Sequence, residues 1–480
     1  MSSTVFSDMG LQSDRDKVAH LLRRFAFGAS ESELDYYAKD GYAGVVDKLL
    51  NFDKIEEAIE PEISQFMTGD PPRLQIQGVL SWWTSKMLTT RRPIVQKMAL
   101  FWHDHFATSA AKVNQPPLML QHIDLLQRMA LTSFHDLLLE VSKDPAMIFW
   151  LDNQFNVRGK PNENFAREIM ELFTLGIGNY SEQDIQEAAR AFTGWNFRRQ
   201  AGRPAEPTNR RMAEFAFRPV QHDPGVKEIL GNKGPFGGED VVGILCGHPQ
   251  TAKYLTTKLW EWFAYPNPEP ALVEKLATKF RDSGLKVDLL IRDIMMSPEF
   301  TSSKALRAIY KNPVDFVVPT MRQLGIGEAM GQSLRVEGPN PRARALPLAA
   351  AIQTTRSMGM HLLFPPDVAG WEGGAAWITS ATMVERIGWA DRLFGVGAPS
   401  RGKVQLRFPA FPLFSEDPTP QGAVTRLLSI FDAPLAKEKV PNLVSAAEKA
   451  SGGRLTAGNA NAVAASVSRL IFGSPEFQFA

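Results

Sequence analysis

Residues 161–195 contain the strongest fold signal in the chain, because both ends of two short helices carry residues with specific capping chemistry. Asn162 can cap the first helix by accepting hydrogen bonds from its free N–H groups, and Gly176 can end it in the left-handed conformation. Ser181, followed three residues later by Asp184, resembles a capping box for the second helix. The stretch therefore predicts two helices joined by a turn that contains glycine.

Two glutamates lie beside the apolar face of the first of these helices. That face consists of Phe165, Ile169, Leu172 and Phe173. At about 100° per residue, Glu168 falls on the shoulder of the apolar face, and Glu171 lies one turn further along. A carboxylate in this position must be paired, protonated or bound to a metal, because an unpaired buried charge is costly. Two alternatives are open for Glu168 and Glu171: an ion pair with Arg167, Arg190 or another arginine, or a role as metal ligand or acid/base group.

Glu187, on the second helix, is a different case. The apolar face of that helix consists of Ile185, Ala188, Ala189 and Phe192. Because Glu187 points away from this face, we expect its carboxylate to be solvated.

The rest of the chain repeats the helical pattern, with apolar residues three and four positions apart. Besides a capped helix that opens at Ser30, the periodicity predicts helices over 16–27, 74–88, 93–106, 118–129, 133–141, 250–263, 268–282, 287–296, 313–324 and 346–358. Strand-like alternation is scarce. The fold class that follows is mainly α, a large multi-helix protein with long irregular loops and little strand.

Length and composition suggest how this helical chain is divided. A chain of 480 residues is too long to fold around one small hydrophobic core, so we expect two or three lobes within a single unit spanning 1–480. Residues 198–240 are rich in Pro, Gly and Arg and form a loop-rich excursion that is a candidate boundary. The predicted lobes are therefore an N-terminal helical lobe over 15–197 and a C-terminal helical lobe over 241–480.

Charge and cysteine content exclude several classes of function. A formal net charge of +1 gives no reason to expect nucleic acid or an anionic membrane as a partner. The one cysteine, Cys246, excludes an intramolecular disulfide and thiolate-rich metal sites, and its apolar neighbours predict a buried thiol. No membrane span and no signal peptide are visible, which favours the cytoplasm; export stays open if the native start differs.

Two histidine-bearing segments are candidates for chemistry. In WHDHF, His105 falls inside the apolar face of the helix over 93–106, whereas His103 lies at its edge. A core-facing histidine is either hydrogen-bonded or a metal ligand or general base, and both alternatives stay open. His222 and Asp223 lie in loop-rich sequence, where a turn could present both side chains to a cleft or simply use them locally.

Phosphate-binding glycine loops, nucleophile elbows, HExxH and dinucleotide fingerprints are missing, which disfavours the enzyme classes that they mark. What remains is a set of His, Glu, Asp and Asn residues. If folded together, they would form a nitrogen-and-oxygen site suited to a divalent metal.

Six sequence blocks together resemble a large bacterial family known as domain-of-unknown-function family 1800. They are HLLRRFAFG (20–28), FWHDHF (101–106), DPAMIFWLDN (144–153), NENFAREIMELFTLGIGNYSEQDIQEAARAFTGW (162–195), HDPGVKEILG (222–231) and PPDVAGWEGGAAW (365–377). The resemblance covers most of the chain and implies a mostly helical protein. Family members are often encoded beside a protein that resembles alkaline phosphatases and sulfatases, and many carry export signals.

The resemblance also assigns signature polar residues by position. They are His103, His105, Asn162, Glu163, Asn164, Arg167, Glu168, Glu171, His222 and Asp223. Two positions depart from the family pattern. Asp104 stands where Asn is usual and could add a carboxylate near the histidines, and Met360 stands where Gln is usual and removes a polar group.

Our first functional hypothesis is a metal-dependent hydrolase with its site between helices, acting on a small-molecule or peptide substrate. In this hypothesis His103, His105, Glu168 and His222 bind a divalent cation. The catalytic residues are Glu168, Glu171, Arg167 and Asp223: Glu171 or Asp223 activates water, and Arg167 holds an anionic substrate.

Two alternatives come from other classes. One is an oxidative metalloenzyme with a di-metal or haem centre, which helical scaffolds often hold. The other is a non-catalytic scaffold or accessory protein that docks the phosphatase/sulfatase-like protein through the loop bearing Trp371 and Trp377, with the signature polar residues acting as caps and ion pairs.

Overall fold

The fold is mainly α, as the periodicity predicts. The computed structural model describes residues 11, 13–70, 72–199, 213–335, 341–397 and 402–480. About 60% of it is helical and 5% is strand. Its first eleven helices are α1 (Asp14–Phe25), α2 (Glu31–Ala38), α3 (Gly41–Leu50), α4 (Ile76–Thr89), α5 (Pro93–His105), α6 (Ala110–Val113), α7 (Pro116–Arg128), α8 (Phe134–Ser142), α9 (Pro145–Trp150), α10 (Asn164–Glu171) and α11 (Glu182–Ala191).

A second set of eleven helices follows two small sheets. These helices are α12 (Gly238–Gly247), α13 (Pro249–Phe263), α14 (Pro270–Asp282), α15 (Val287–Met295), α16 (Pro313–Gln323), α17 (Ile326–Arg335), α18 (Pro341–Ser357), α19 (Ser380–Phe394), α20 (Pro420–Ile430), α21 (Val440–Ser451) and α22 (Ala460–Gly473). The predicted helices are present, with their ends shifted by a few residues.

The hairpin forms, but its first helix is shorter than predicted, because it begins after Glu163 and ends at Glu171, well before Gly176. The side-chain oxygen of Asn162 accepts the backbone N–H of Asn164 at 3.0 Å at the start of α10, and Gly176 has φ of 78° beyond its end. Ser181 and Asp184 form the reciprocal capping box at the start of α11. These signals succeed because each needs only neighbours within three residues.

The expected excursion over 198–240 contains two short antiparallel ladders. Strands β1 (Trp195–Arg199) and β2 (Ala213–Phe217) pair with Trp195 opposite Phe217. Strands β3 (Lys227–Ile229) and β4 (Asn232–Gly234) form the second ladder. Residues 200–212 of the excursion lie outside the described residues. The division into lobes stays a prediction.

One contiguous apolar core extends from Val18 in α1 to Phe477 near the C-terminal end. Phe25 of α1 stacks on Phe263 of α13 with ring centroids 4.4 Å apart, so residues from distant parts of the chain share this core. Burial of each large aromatic side chain contributes roughly 1.5–3 kcal/mol. Cys246 is 8% exposed, as predicted for a buried thiol, and burial raises its pKa to about 12.

Among the described residues, none of the helices combines the length and the apolar character that a membrane crossing requires.

Candidate functional site

His103 and His105 are both buried, and they point to different neighbours. The ring Nε2 of His103 accepts the backbone N–H of Leu363 at 3.1 Å. The ring Nε2 of His105 bonds the backbone carbonyl of Phe173 at the same distance, 3.1 Å, and therefore carries the proton. Residues two apart on a helix are expected to diverge in this way. Burial lowers the pKa of His103 to about 3 and that of His105 well below its usual value, so both rings are neutral.

The neutral tautomers limit what these histidines can ligate. His103 uses its lone pair on the Leu363 N–H, which leaves a buried Nδ1–H without a partner, whereas the free Nδ1 of His105 is a lone pair enclosed by aromatic rings. Within the part of the chain that the structure describes, no three His, Cys, Asp or Glu residues lie close enough together to hold a metal ion. The structure therefore does not gather His103, His105, Glu168 and His222 into one ligand set.

Asp223 belongs to a separate ion-paired network, which we call the Arg190 clamp: Arg190, Asp223 and Glu187. The Arg190 guanidinium donates to Asp223 at 2.8 and 3.3 Å and to Glu187 at 2.7 and 2.9 Å. Hydrogen bonds from Arg190 lower the pKa of Asp223 to about 2. His222 donates from Nδ1 to the carbonyl of Thr193 at 3.0 Å. Glu187, expected to be solvated, is instead paired, with its side chain only 15% exposed.

Arg167 points away from the Glu168 carboxylate. Its guanidinium donates to both carboxylate oxygens of Glu182 at 3.0 and 2.8 Å and to Glu163 at 3.3 Å. These acidic partners raise the pKa of Arg167. The charge of Arg167 is thus already balanced. Asn164, three residues earlier in the same helix, donates to the backbone carbonyl of Leu151 at 3.1 Å.

Glu168 is the exception among the signature residues. Neither of the arginines considered as its partner, Arg167 and Arg190, pairs with it, and the described residues provide no hydrogen bond to its half-buried carboxylate. Burial raises the pKa of Glu168, and the charges of Glu171 and Asp367 raise it further, against the opposing charge of Arg167. Glu171 differs, because its carboxylate accepts the Tyr180 hydroxyl. Glu168 therefore carries a titratable group that has no protein partner among the described residues and remains partly open to solvent.

Asp104, one of the two residues that depart from the family pattern, lies between the two histidines and faces the loop over 365–377, which we call the Pro-Pro loop. Its Oδ1 accepts the backbone N–H of Trp371 at 2.8 Å. Gly370 permits this approach, since a Cβ there would lie 2.5 Å from the backbone oxygen and from Oδ1 of Asp104. Burial raises the pKa of Asp104 to about 6, against the Trp371 hydrogen bond and the charge of Lys258.

Lys258 supplies a positive charge that the sequence patterns did not reveal. It lies on α13 one turn beyond Tyr254, with Nζ 5.5 Å from the Tyr254 ring centroid. Burial lowers its pKa, which the charges of Asp104 and Glu261 oppose. In the described residues its ammonium group has no hydrogen-bond acceptor or ion pair within contact distance. A lone lysine in a helix gives no motif, so only the fold could place it here.

These groups form two sets, which we together call the acidic cluster: Glu168 with the charges of Glu171 and Asp367 acting on it, and Asp104 with the charge of Lys258 acting on it. Its parts are joined by contacts between four segments. Tyr254 of α13 donates to the Leu172 carbonyl at the end of α10 at 2.8 Å, and its ring centroid lies 6.4 Å from that of His105. Asp367 is exposed, so the cluster opens to solvent. Tyr254 therefore connects the helix that carries Lys258 to the end of the helix that carries Glu168 and to His105, next to Asp104.

The two tryptophans of the Pro-Pro loop do not form a common exposed surface. Trp377 is buried, at 8% exposure. Trp371 is partly buried, and its ring centroid lies 5.5 Å from that of His103. The predicted docking surface would therefore rest on Trp371 alone.

The fold and these groups define a class: a mainly helical protein in which carboxylates from separate segments form a solvent-open cluster. The sequence model of one family, described as a protein of unknown function (DUF1800), matches residues 20–479. The chain belongs to this family, as its sequence blocks predicted. The comparison with curated proteins gave no match, and neither did the comparison with solved structures.

Proposed function

We propose that this protein is an enzyme that carries out acid/base catalysis at the acidic cluster, with hydrolysis as its reaction. One observation carries the proposal: Glu168 is half-buried beside two further carboxylates, and its own carboxylate has no hydrogen bond or ion pair among the described residues. Because the carboxylate is neither occupied by a partner among those residues nor fully buried, water and a substrate can reach it. A carboxylate with a raised pKa is suited to exchange protons near neutral pH.

The neighbouring groups suggest a division of roles. Glu168, when deprotonated, accepts a proton from water that attacks the substrate. The Lys258 ammonium, which has no acceptor of its own, binds the negative charge that develops on the substrate. Asp104, with its pKa raised to about 6, is positioned beside Lys258 as a second proton-exchanging group. Two titratable groups with different environments are the usual basis for separate acid and base roles.

The segment His103-Asp104-His105 is a positioning device in this proposal. His103 holds the Leu363 N–H, Asp104 holds the Trp371 N–H and His105 holds the Phe173 carbonyl. The first two bonds fix the loop that carries Asp367, and the third fixes the chain just beyond α10, which carries Glu168. Three successive residues at the end of α5 thereby tie together both sides of the cluster.

The divalent metal of the first hypothesis does not enter these steps, because its four expected ligands do not come together. A bound divalent metal stays a prediction, as do the oxidative chemistry and the phosphatase/sulfatase-like partner.

Glu168→Gln tests the proposal in two ways. The first measurement is turnover of a panel of p-nitrophenyl carboxylate, phosphate and sulfate esters, for which we expect kcat/KM of a turned-over substrate to fall about 10²- to 10⁴-fold. The second needs no substrate: carboxyl ¹³C titration, with the Glu168→Gln spectrum assigning the missing resonance, should show a pKa for Glu168 above the usual value of about 4.3.

Glu140→Gln is the matched control, because Glu140 is an exposed glutamate on α8 and its replacement should leave turnover unchanged. Unaltered kcat/KM in Glu168→Gln would contradict the proposal. So would a Glu168 pKa at or below the usual value, whichever substrate is used.

A further inference from the structure

A second candidate site lies at a cavity of about 240 Å³ between α4, α5, α7 and the segment that precedes α4. It shares no residue with the acidic cluster. Its wall contains three acidic and three basic side chains together with an apolar part formed by Phe52, Ile59, Pro61 and Val95. The formal charges cancel, so the nature of a ligand depends on which hydrogen-bonding groups the protein itself leaves unused.

A chain of side-chain hydrogen bonds fixes the orientation of Gln127 in this wall. The indole N–H of Trp83 can only donate, and it donates to Oε1 of Gln96 at 3.1 Å. The amide nitrogen of Gln96 must then donate to Oε1 of Gln127, at 3.3 Å. Lys86, also only a donor, bonds the same oxygen at 3.2 Å. The amide orientation of Gln127 is therefore determined by its neighbours.

This orientation leaves a donor without an acceptor. Gln127 is 7% exposed, and its Nε2 is buried without a hydrogen-bond partner. A buried amide N–H that lacks an acceptor costs free energy, which an oxygen atom supplied by a ligand would recover.

Among the charged residues of the wall, too, the acceptors are largely used and the donors are not. Both oxygens of Glu57 are engaged, by the Thr90 hydroxyl and by the backbone N–H of Arg91. Glu60 pairs with Lys86 at 3.2 Å and lies at the rim, with its side chain 55% exposed. The acidic side chains are thus largely occupied inside the protein or open to water.

The guanidinium groups, in contrast, keep donors free. Arg92 uses Nε on the Ile55 carbonyl, and Arg128, which lies at the rim like Glu60 with its side chain 55% exposed, uses Nε on Asp124. Across the described ranges, their terminal Nη atoms have no hydrogen-bond partner. Among the residues that line the cavity, the buried group that remains unused is therefore a donor, Nε2 of Gln127, and the guanidiniums add further donors.

We propose that this cavity binds a small organic carboxylate with a short aliphatic body. The carboxylate would accept hydrogen bonds from Gln127 and from the Arg92 and Arg128 guanidiniums, whose planar fork matches its two oxygens. The aliphatic body would pack on the apolar wall. Because the volume lies below the roughly 300–1,000 Å³ of drug-sized sites, the ligand has about a dozen heavy atoms or fewer.

Isothermal titration calorimetry on the full chain with 4-methylpentanoate tests this proposal. We expect saturable one-to-one binding at least tenfold tighter than that of 4-methylpentanamide, which has the same shape and no charge. Inorganic phosphate, an anion without an aliphatic body, should bind more weakly than the carboxylate. No heat up to about 10 mM 4-methylpentanoate, equal binding of the amide, or tighter binding of phosphate would each overturn the proposal.

Two variants locate the binding. Arg128→Gln should weaken 4-methylpentanoate binding about tenfold. Gln127→Glu should abolish it, while the new carboxylate still accepts the bonds from Gln96 and Lys86, so the melting temperature should not fall. Arg281→Gln, another exposed arginine in the last turn of a helix next to an aspartate, is the control and should bind as the wild type does. Wild-type affinity in both cavity variants would overturn the proposal.

Discussion

The Arg190 clamp and the acidic cluster contain the same kind of signature residue in opposite environments. Asp223 of the clamp receives hydrogen bonds from Arg190 and from the Gly225 N–H, at 2.8 Å, and its pKa falls to about 2. Glu168 of the cluster receives none from the described residues, and burial raises its pKa. Both were equally plausible catalytic residues in the sequence. The difference shows that the supply of partners, and not the residue type, separates a structural carboxylate from a candidate functional one.

The largest effect is expected when the clamp is broken with Arg190→Met. The Arg190, Asp223 and Glu187 side chains are 28%, 20% and 15% exposed, so their charge-assisted bonds are only partly screened by solvent. Their loss, with two carboxylates left unpaired, should lower the free energy of unfolding by about 2–3 kcal/mol at pH 7. Urea unfolding measures this difference.

The pH dependence gives a second check on the clamp. Because the folded pKa of Asp223 is depressed, its stabilisation is present above the unfolded pKa of about 3.9 and is lost as pH falls towards 2. The difference between wild type and Arg190→Met should therefore shrink over that range. Arg198→Met, which breaks the exposed pair with Glu214, is the control and should cost less than about 0.5 kcal/mol. An equal loss of unfolding free energy in Arg190→Met and Arg198→Met would contradict the distinction between the partly buried clamp and an exposed ion pair.

Asp104→Asn should have the next largest effect, with the opposite sign. Asparagine can still accept the Trp371 N–H, but it carries no charge that must be buried. A raised carboxyl pKa costs stability as pH rises from the unfolded value through about 6, and the cost is complete above that. Discounted for partial solvent access and for Lys258, the variant should be about 1–2 kcal/mol more stable at pH 8 and unchanged below pH 4.

Thermal unfolding at the two pH values measures this effect, with Asp53→Asn, an exposed aspartate, as the control. A loss of stability at pH 8 would show that attraction between Asp104 and Lys258 outweighs the cost of burial.

The helix caps and helix faces were predicted correctly because they depend on residues close together in the sequence. The capping boxes at Ser30 and Ser181 and the left-handed Gly176 depend on neighbours a few residues away, and the structure contains all three. The apolar periodicity likewise identified the buried face of α10, where Phe165 and Ile169 are 1% and 0% exposed. Helix existence and helix faces therefore followed from the sequence.

The composition of the site depends on contacts that no local pattern encodes. Asp104 meets the Trp371 N–H across 267 positions, and Arg190, which could have paired with Glu168, is taken by Asp223 across 33 positions. Lys258 has no neighbouring motif at all. Sequence reasoning thus found Glu168 and Asp104, but it could not tell that Asp223 and His222 would be engaged elsewhere.

Glu168→Gln should have the smallest effect on stability, and it sharpens the comparison most directly. The pKa of Glu168 is higher in the folded protein than in the unfolded chain. As pH rises above the unfolded-chain value, the unfolded chain therefore loses its proton more readily, and the folded state loses stability relative to it. Removing the charge should stabilise the fold by about 0.5–1 kcal/mol at pH 8 and have no effect at pH 4. Asp223→Asn, the matched change in the clamp, should instead destabilise it by about 2 kcal/mol at pH 8.

A double-mutant cycle with Glu171→Gln identifies the source of the Glu168 effect. Burial and the charge of Glu171 both raise the pKa of Glu168, and only the second contribution disappears when Glu171 is neutralised. The gain from Glu168→Gln should therefore be smaller by about 0.3–0.5 kcal/mol in the Glu171→Gln background, as chemical denaturation at pH 8 would measure. Full additivity would assign the whole effect to burial. A loss of stability on Glu168→Gln would reveal a stabilising partner for this carboxylate, and the contrast with the clamp would then fail.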